Sequence, residues 1–172
     1  MEYNAKDNTM DAIEMLKGQH REVESLFKKF DALGENATKS KQSIFENIAD
    51  ALAMHATIEE KHFYPAVKAK RTEDILLEAL EEHLGIKRVI ADLLKLDASK
   101  ETFDAKVKVL KEQVEHHVEE EESDLFPKVR KVLDKAELTE LASTMQRTFK
   151  VLTEKGDARK AVPAETREAP AL

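Results

Sequence analysis

The sequence of 172 residues contains no cysteine and no tryptophan. Disulfides, thiolate metal sites and cysteine nucleophiles are therefore excluded. Glycine and proline number four each and aromatic residues make up 5%, too little turn-forming material for a many-stranded sheet. No apolar run is long enough to span a bilayer, and the first residues, Met1 to Asn8, lack the apolar stretch of a secretory signal. A cytoplasmic location is expected, without a membrane partner. The net charge of −7 is offset by no basic stripe, so nucleic acid is not expected as a partner either.

What the chain has in quantity is charge, 37% of its residues, arranged between apolar positions at helical spacing. From about Thr9 to Leu33, residues Ile13, Leu16, His20, Val23, Phe27 and Phe30 recur by three and four. Asn8 or Thr9 is the expected cap, and Gly34 the expected stop. A second helix is predicted from Thr38 or Ser40 to Lys70, with Ile44, Ile48, Leu52, His55, Glu59 and His62 on one line. Pro65 should kink it. Thr72 should cap a third helix, whose inner line runs through Leu76, Leu80, His83, Lys87, Ile90 and Leu94, with Ala79, Ile86 and Leu93 beside it. Gly85 leaves room for a neighbouring helix to approach. Ser99 should cap a fourth helix carrying Phe103, Val107, Leu110, Val114, His117, Glu121 and Asp124, ended or kinked by Pro127. Asp134 and Glu137 form a capping box before a fifth amphipathic helix that Gly156 closes.

The expected fold is all-α: an antiparallel up-down four-helix bundle with an additional C-terminal helix and a disordered tail. Residues 9–133 would form the bundle, 134–156 the fifth helix packed on it, and 157–172 the tail, which has no periodicity.

Two stretches share one plan. His55-Ala-Thr-Ile-Glu59-Glu60 leads to Tyr64-Pro65, and His117-Val-Glu-Glu-Glu121-Glu122 leads to Phe126-Pro127, with each aromatic nine residues after its His. His and Glu four apart lie one turn apart on the same helical face. The other two long helices each add one mid-stripe histidine, His20 and His83. In an up-down bundle these six side chains meet at one height. Two buried carboxylates repel, and four imidazoles cannot all satisfy one another, so such a cluster calls for divalent cations. A set of four His and two Glu without sulfur suits iron or manganese and is compatible with zinc. Glu60, Glu122 and His62 stand close enough in sequence to serve as further ligands or to line the site. Asp124 has the same standing as His62, Tyr64 belongs to the core with its hydroxyl within possible reach, and His116 points to solvent.

These residues resemble the hemerythrin-like, or HHE cation-binding, domain over roughly Met10 to Leu133. The resemblance rests on His20, on His55 with Glu59, on His83, and on His117 with Glu121 and the following Leu-Phe-Pro. It implies two iron ions, oxo- or hydroxo-bridged, with Glu59 and Glu121 bridging. His20 and His55 would then serve one iron, and His83 and His117 the other. Oxygen-carrying members have a second histidine one turn after the third-helix histidine, where this chain has Lys87. They also commonly space the fourth-helix pair as His-x-x-x-x-Asp. Lys87 would either place a positive charge near the site or snorkel to the bundle surface. The expected function is a non-haem di-iron protein that binds or reacts with oxygen, peroxide or nitric oxide, as carrier or enzyme. The alternative is an iron- or oxygen-sensing, metal-handling module without turnover.

Overall fold

Asp11 starts the first helix by chemistry that any N-terminus needs. Its carboxylate accepts the free N–H of Glu14 at 3.0 Å and is itself held by Arg130 at 2.9 Å. In the computed structural model, which describes residues 10–69 and 72–172, this helix, α1, runs Ala12–Asp31. Asn8, Thr9 and Lys70, named above as helix limits, lie outside the described residues. Helix α2 spans Thr38–Ile58 and passes through a π-helical turn, Glu59–Phe63, into a short α3, Tyr64–Val67. Helix α4 spans Glu73–Leu93. Helix α5, Glu101–Glu120, repeats the pattern of α2, with a π-turn at Glu121–Leu125 and a short α6 at Phe126–Val129. Helix α7 is Lys135–Lys155. No strand occurs among the described residues.

Cross-helix pairs fix the directions. Glu14 meets Arg130 and Asp31 meets Lys111, so α1 and α5 run antiparallel. Glu82 meets His117 and Asp92 meets Lys106, which orients α4 against α5 in the same way. Two apolar clusters fill the bundle. One contains Ile13, Leu16, Phe63, Leu80 and Phe126; the other contains Phe27, Phe45, Ile48, Ile90 and Phe103. The buried histidines and glutamates lie on the same inward lines, between the members of these clusters. Helix α7 covers the first cluster with Leu138, Ala142 and Met145. Its capping box is formed as expected, by Asp134 and Glu137 at 2.8 and 2.9 Å, and Gly156 ends it at φ 70°.

Pro65 and Pro127 act through the turn before them. Proline lacks an N–H and its ring crowds the carbonyl four residues back. The chain widens to accommodate this: the Tyr64 N–H donates to the Glu59 carbonyl, and the Phe126 N–H to that of Glu121. A π-turn shifts the helical phase by one residue. This corrects the predicted inner line. Phe63 and Tyr64 become fully buried, while His62 turns to Thr148 of α7, 2.7 Å away. Asp124 likewise leaves the interior and pairs with Lys128.

Several predicted caps also differ. Thr72 stands at the cap of α4 as expected, but its hydroxyl is directed at the carbonyls of Val67 and Ala69 and makes no capping bond. Lys100, not Ser99, stands at the cap of α5. α1 ends at Asp31, before Gly34. At Gly85 an added Cβ would meet Gln113 Oε1 at 3.7 Å, an ordinary contact, so no close helix approach depends on this glycine.

The largest correction concerns the tail. Ala158–Glu165 forms a 3-10 helix lying against α2 and α4. It lacks periodicity because three separate anchors hold it. The Arg159 N–H donates to Asp50 at 2.8 Å and its guanidinium to Glu46 at 3.1 Å. Val162 enters the core at 2% exposure. Glu165 pairs with Lys87 at 2.9 Å.

Candidate metal centre

Each mid-stripe histidine is buried, as are Glu59 and Glu121. The structure brings all six together. His20 Nε2 lies 3.2 Å from His55 Nε2, and His83 Nε2 lies 3.1 Å from His117 Nε2. Glu59 spans the two pairs, with Oε1 3.2 Å from His55 Nε2 and Oε2 3.2 Å from His83 Nε2. Glu121 Oε2 stands 3.2 Å from His20 Nε2 and 3.7 Å from His117 Nε2. Two groups able to hold a cation result, one of His20, His55, Glu59 and Glu121, the other of Glu59, His83 and His117.

A ring of acceptors behind the imidazoles decides which nitrogen faces inward. His20 Nδ1 faces Glu122 at 2.8 Å, and His83 Nδ1 faces Glu60 at 3.0 Å. His55 Nδ1 faces the Gln19 amide oxygen at 2.7 Å, and His117 Nδ1 faces Glu82 at 2.7 Å. These oxygens accept, so each Nδ1 carries the proton and four Nε2 lone pairs converge. Two acceptors are themselves gripped, Glu122 by Arg21 at 2.6 Å and Glu60 by Lys87 at 2.8 and 2.9 Å.

Glu60 and Glu122 are therefore orienting partners and do not point into the centre. Lys87 is buried at 5% exposure, held between Glu60 and Glu165, so it neither snorkels outward nor stands free beside the centre. His116 is exposed and pairs with Glu82 and Glu120. Gln19 and Glu82 do not stand out in the sequence. Their signal was positional, since each directly precedes a mid-stripe histidine, His20 and His83.

The donor set fits cations on a specific observation. Glu59 Oε1 and Glu121 Oε2 are buried without any hydrogen-bond partner, and both belong to these groups. Nε2 atoms about 3.2 Å apart suit two neighbouring ligands of one ion, at metal–nitrogen lengths of about 2.1 Å. Without cations, protons must do the same work. Burial disfavours a charged His83, yet hydrogen bonds to Glu59 and Glu60 raise it to about 9. Burial pushes Glu59 up, but His55 and His83 outweigh it and hold the carboxyl well below its usual range.

Tyr64 closes one side of the centre. Its hydroxyl donates to Glu121 Oε1 at 2.9 Å and lies 3.2 Å from His83 Nε2. Burial, together with Glu121 and Glu59, keeps this phenol protonated far above its ordinary pKa. Phe126, its counterpart in the second motif, stacks on His20 with ring centroids 6.0 Å apart.

Fold and site together define a helical bundle built around a buried imidazole–carboxylate cluster able to hold cations. The chain belongs to the hemerythrin HHE cation-binding domain family, which it matches over residues 11–129. It is 31% identical over 137 residues to a DNA nickase of Nostoc sp., a match covering 80% of the chain. The chain spans 37% of that relative's length. Its fold is shared with the crystal structure of a hemerythrin HHE cation-binding domain-containing protein from Mycobacterium kansasii. The TM-score is 0.75 at 24% identity, with 92% of this chain and 95% of that one covered. No helix among the described residues is long and apolar enough to cross a membrane.

Proposed function

We propose that the chain is a non-haem dinuclear iron protein that binds or reacts with a small molecule: oxygen, hydrogen peroxide or nitric oxide. His20 and His55 would hold one iron and His83 and His117 the other, with Glu59 and Glu121 shared. The observation that carries this reading is the division of Glu59, whose two oxygens each stand 3.2 Å from an imidazole nitrogen of a different pair. When bound, the irons would supply open coordination positions and electrons. Manganese or zinc would be held by the same donors with less advantage from their chemistry.

The chain's own residues do the rest. The four Nδ1 acceptors fix the rings so that ligand lone pairs are aimed before any cation arrives. The Tyr64 hydroxyl offers a proton at the edge of the centre, directed at Glu121 Oε1. Surrounding apolar side chains exclude water, which strengthens every charge interaction inside. DNA nicking, the activity in the Nostoc relative's name, is not part of this proposal, because the chain carries a net charge of −7 with no basic stripe.

A second reading, a sensing module, has one observation in its favour. Lys87 joins Glu60, which orients His83, to Glu165 of the C-terminal segment, so the state of the centre could be felt at the surface. Metal analysis of the purified chain, with optical spectra before and after oxygen or peroxide, tests the main reading. An iron-loaded chain should develop a charge-transfer band on exposure. A loaded chain whose spectrum ignores oxygen, peroxide and nitric oxide would leave only iron sensing or metal handling.

A further inference from the structure

A cavity of about 30 Å³ adjoins the centre, and all four ligand histidines reach its wall. The remainder of that wall is largely apolar, with Val23, Leu52, Ile86, Ile90 and Val114 among its residues. Its polar members are already engaged, Gln19 by His55 and Lys87 by Glu60 and Glu165. Every wall residue but one comes from the four bundle helices. The exception is Val162, from the C-terminal 3-10 helix, which lies beyond the 11–129 range matched by the family.

Val162 is held in place by polar anchors on both sides. Arg159 binds Asp50 and Glu46 of α2. Glu165 binds Lys87, and Arg88 donates to the carbonyls of Thr166 and Arg167 at 3.0 and 3.1 Å, all from α4. The segment thus bridges α2 and α4 with one valine turned inward.

We propose that Val162 is the residue that sets the size of what reaches the centre. Resting on the function proposed above, this makes Val162 the side chain that separates the smallest reactants from bulkier ones of the same chemistry. A cavity of this volume holds about one water-sized molecule. Its apolar wall disfavours an unpaired charge, and a larger molecule can enter only if the valine yields.

The test uses the full chain loaded with ferrous iron, in the wild type and in Val162→Ala and Val162→Phe. Stopped-flow absorbance would follow nitric oxide binding, and separately oxidation by hydrogen peroxide and by tert-butyl hydroperoxide. Hydrogen exchange at residues 158–165 would establish that the segment stays docked. Trimming the side chain should raise the tert-butyl-to-hydrogen peroxide rate ratio about tenfold, and Val162→Phe should slow nitric oxide binding by a similar factor, the scale set by small apolar volume changes in a pocket. Equal rates in all three proteins, with the segment protected, would overturn the role of Val162 and leave the proposed function standing. An unprotected segment in the wild type would also overturn it. If the wild type responds to none of the three molecules, the proposed function itself fails.

Discussion

The two halves of the centre repeat one plan and differ in three places. His20 and His55 are backed by Glu122 and Gln19, with Phe126 stacked on one ring. His83 and His117 are backed by Glu60 and Glu82, with the Tyr64 hydroxyl beside one ring. A neutral amide thus faces a carboxylate across the pseudo-symmetry, and a stacked phenyl faces a phenol. The third difference is the cation gripping the rear carboxylate. Arg21 is exposed on the first side, whereas Lys87 is buried and tied to the C-terminal segment on the second. Duplication explains why the ligands match. Behind the imidazoles the second position has two carboxylates where the first has one, whereas Glu121 Oε2 stands nearer the first, 3.2 Å from His20 Nε2 against 3.7 Å from His117 Nε2. The rear carboxylates should therefore offset, at the second position, the longer reach to Glu121.

The largest effect should come from erasing what the halves share. Glu59→Gln removes the carboxylate that spans both pairs, and elemental analysis should find both cations largely lost. Loss of only one would mean that the halves are independent. Next, Glu82→Gln makes the second half resemble the first, and should weaken its cation by about 10–100-fold, the usual cost of disturbing a partner behind a ligand. Gln19→Glu should strengthen the other position in calorimetric titration. If neither exchange alters stepwise affinity, the charge difference is without consequence.

Tyr64→Phe equalises the aromatics. It leaves Glu121 Oε1 without its donor, which should cost about 1–3 kcal/mol in denaturant unfolding of the metal-free chain. Smallest is Gly85→Ala, two residues after His83, where the first half has Glu22 two residues after His20. The added Cβ meets only an ordinary contact, so the helix should gain up to about 1 kcal/mol, read as a higher Tm. A loss of stability there would show that the backbone at Gly85 is more crowded than 3.7 Å implies.

Much of this was legible from periodicity. The inner lines of α1 and α5 fall where spacing puts them, from Ile13 to Phe30 and from Phe103 to Glu121, because apolar burial on a helix repeats every three or four residues. The duplicated His-x-x-x-Glu stretches led to all six central side chains. What spacing could not show was the π-turn, which depends on how the chain accommodates Pro65 and Pro127 and which moved His62 and Asp124 outward. Gln19 and Glu82 were hidden because a polar residue beside a histidine reads as solvated surface until the neighbouring helix is in place. The C-terminal segment looks disordered in sequence because its order comes from Arg159, Val162 and Glu165 acting one by one, and isolated anchors leave no period.

Glu59 and Glu121 would join the two halves into one dinuclear site. Stoichiometric titration of the metal-free chain with ferrous iron under anaerobic conditions, followed by melting of the loaded protein, tests this most directly. Two equivalents per chain, with a rise in Tm that a chelator reverses, is the predicted result. Saturation at one equivalent, or melting indifferent to iron, would contradict it.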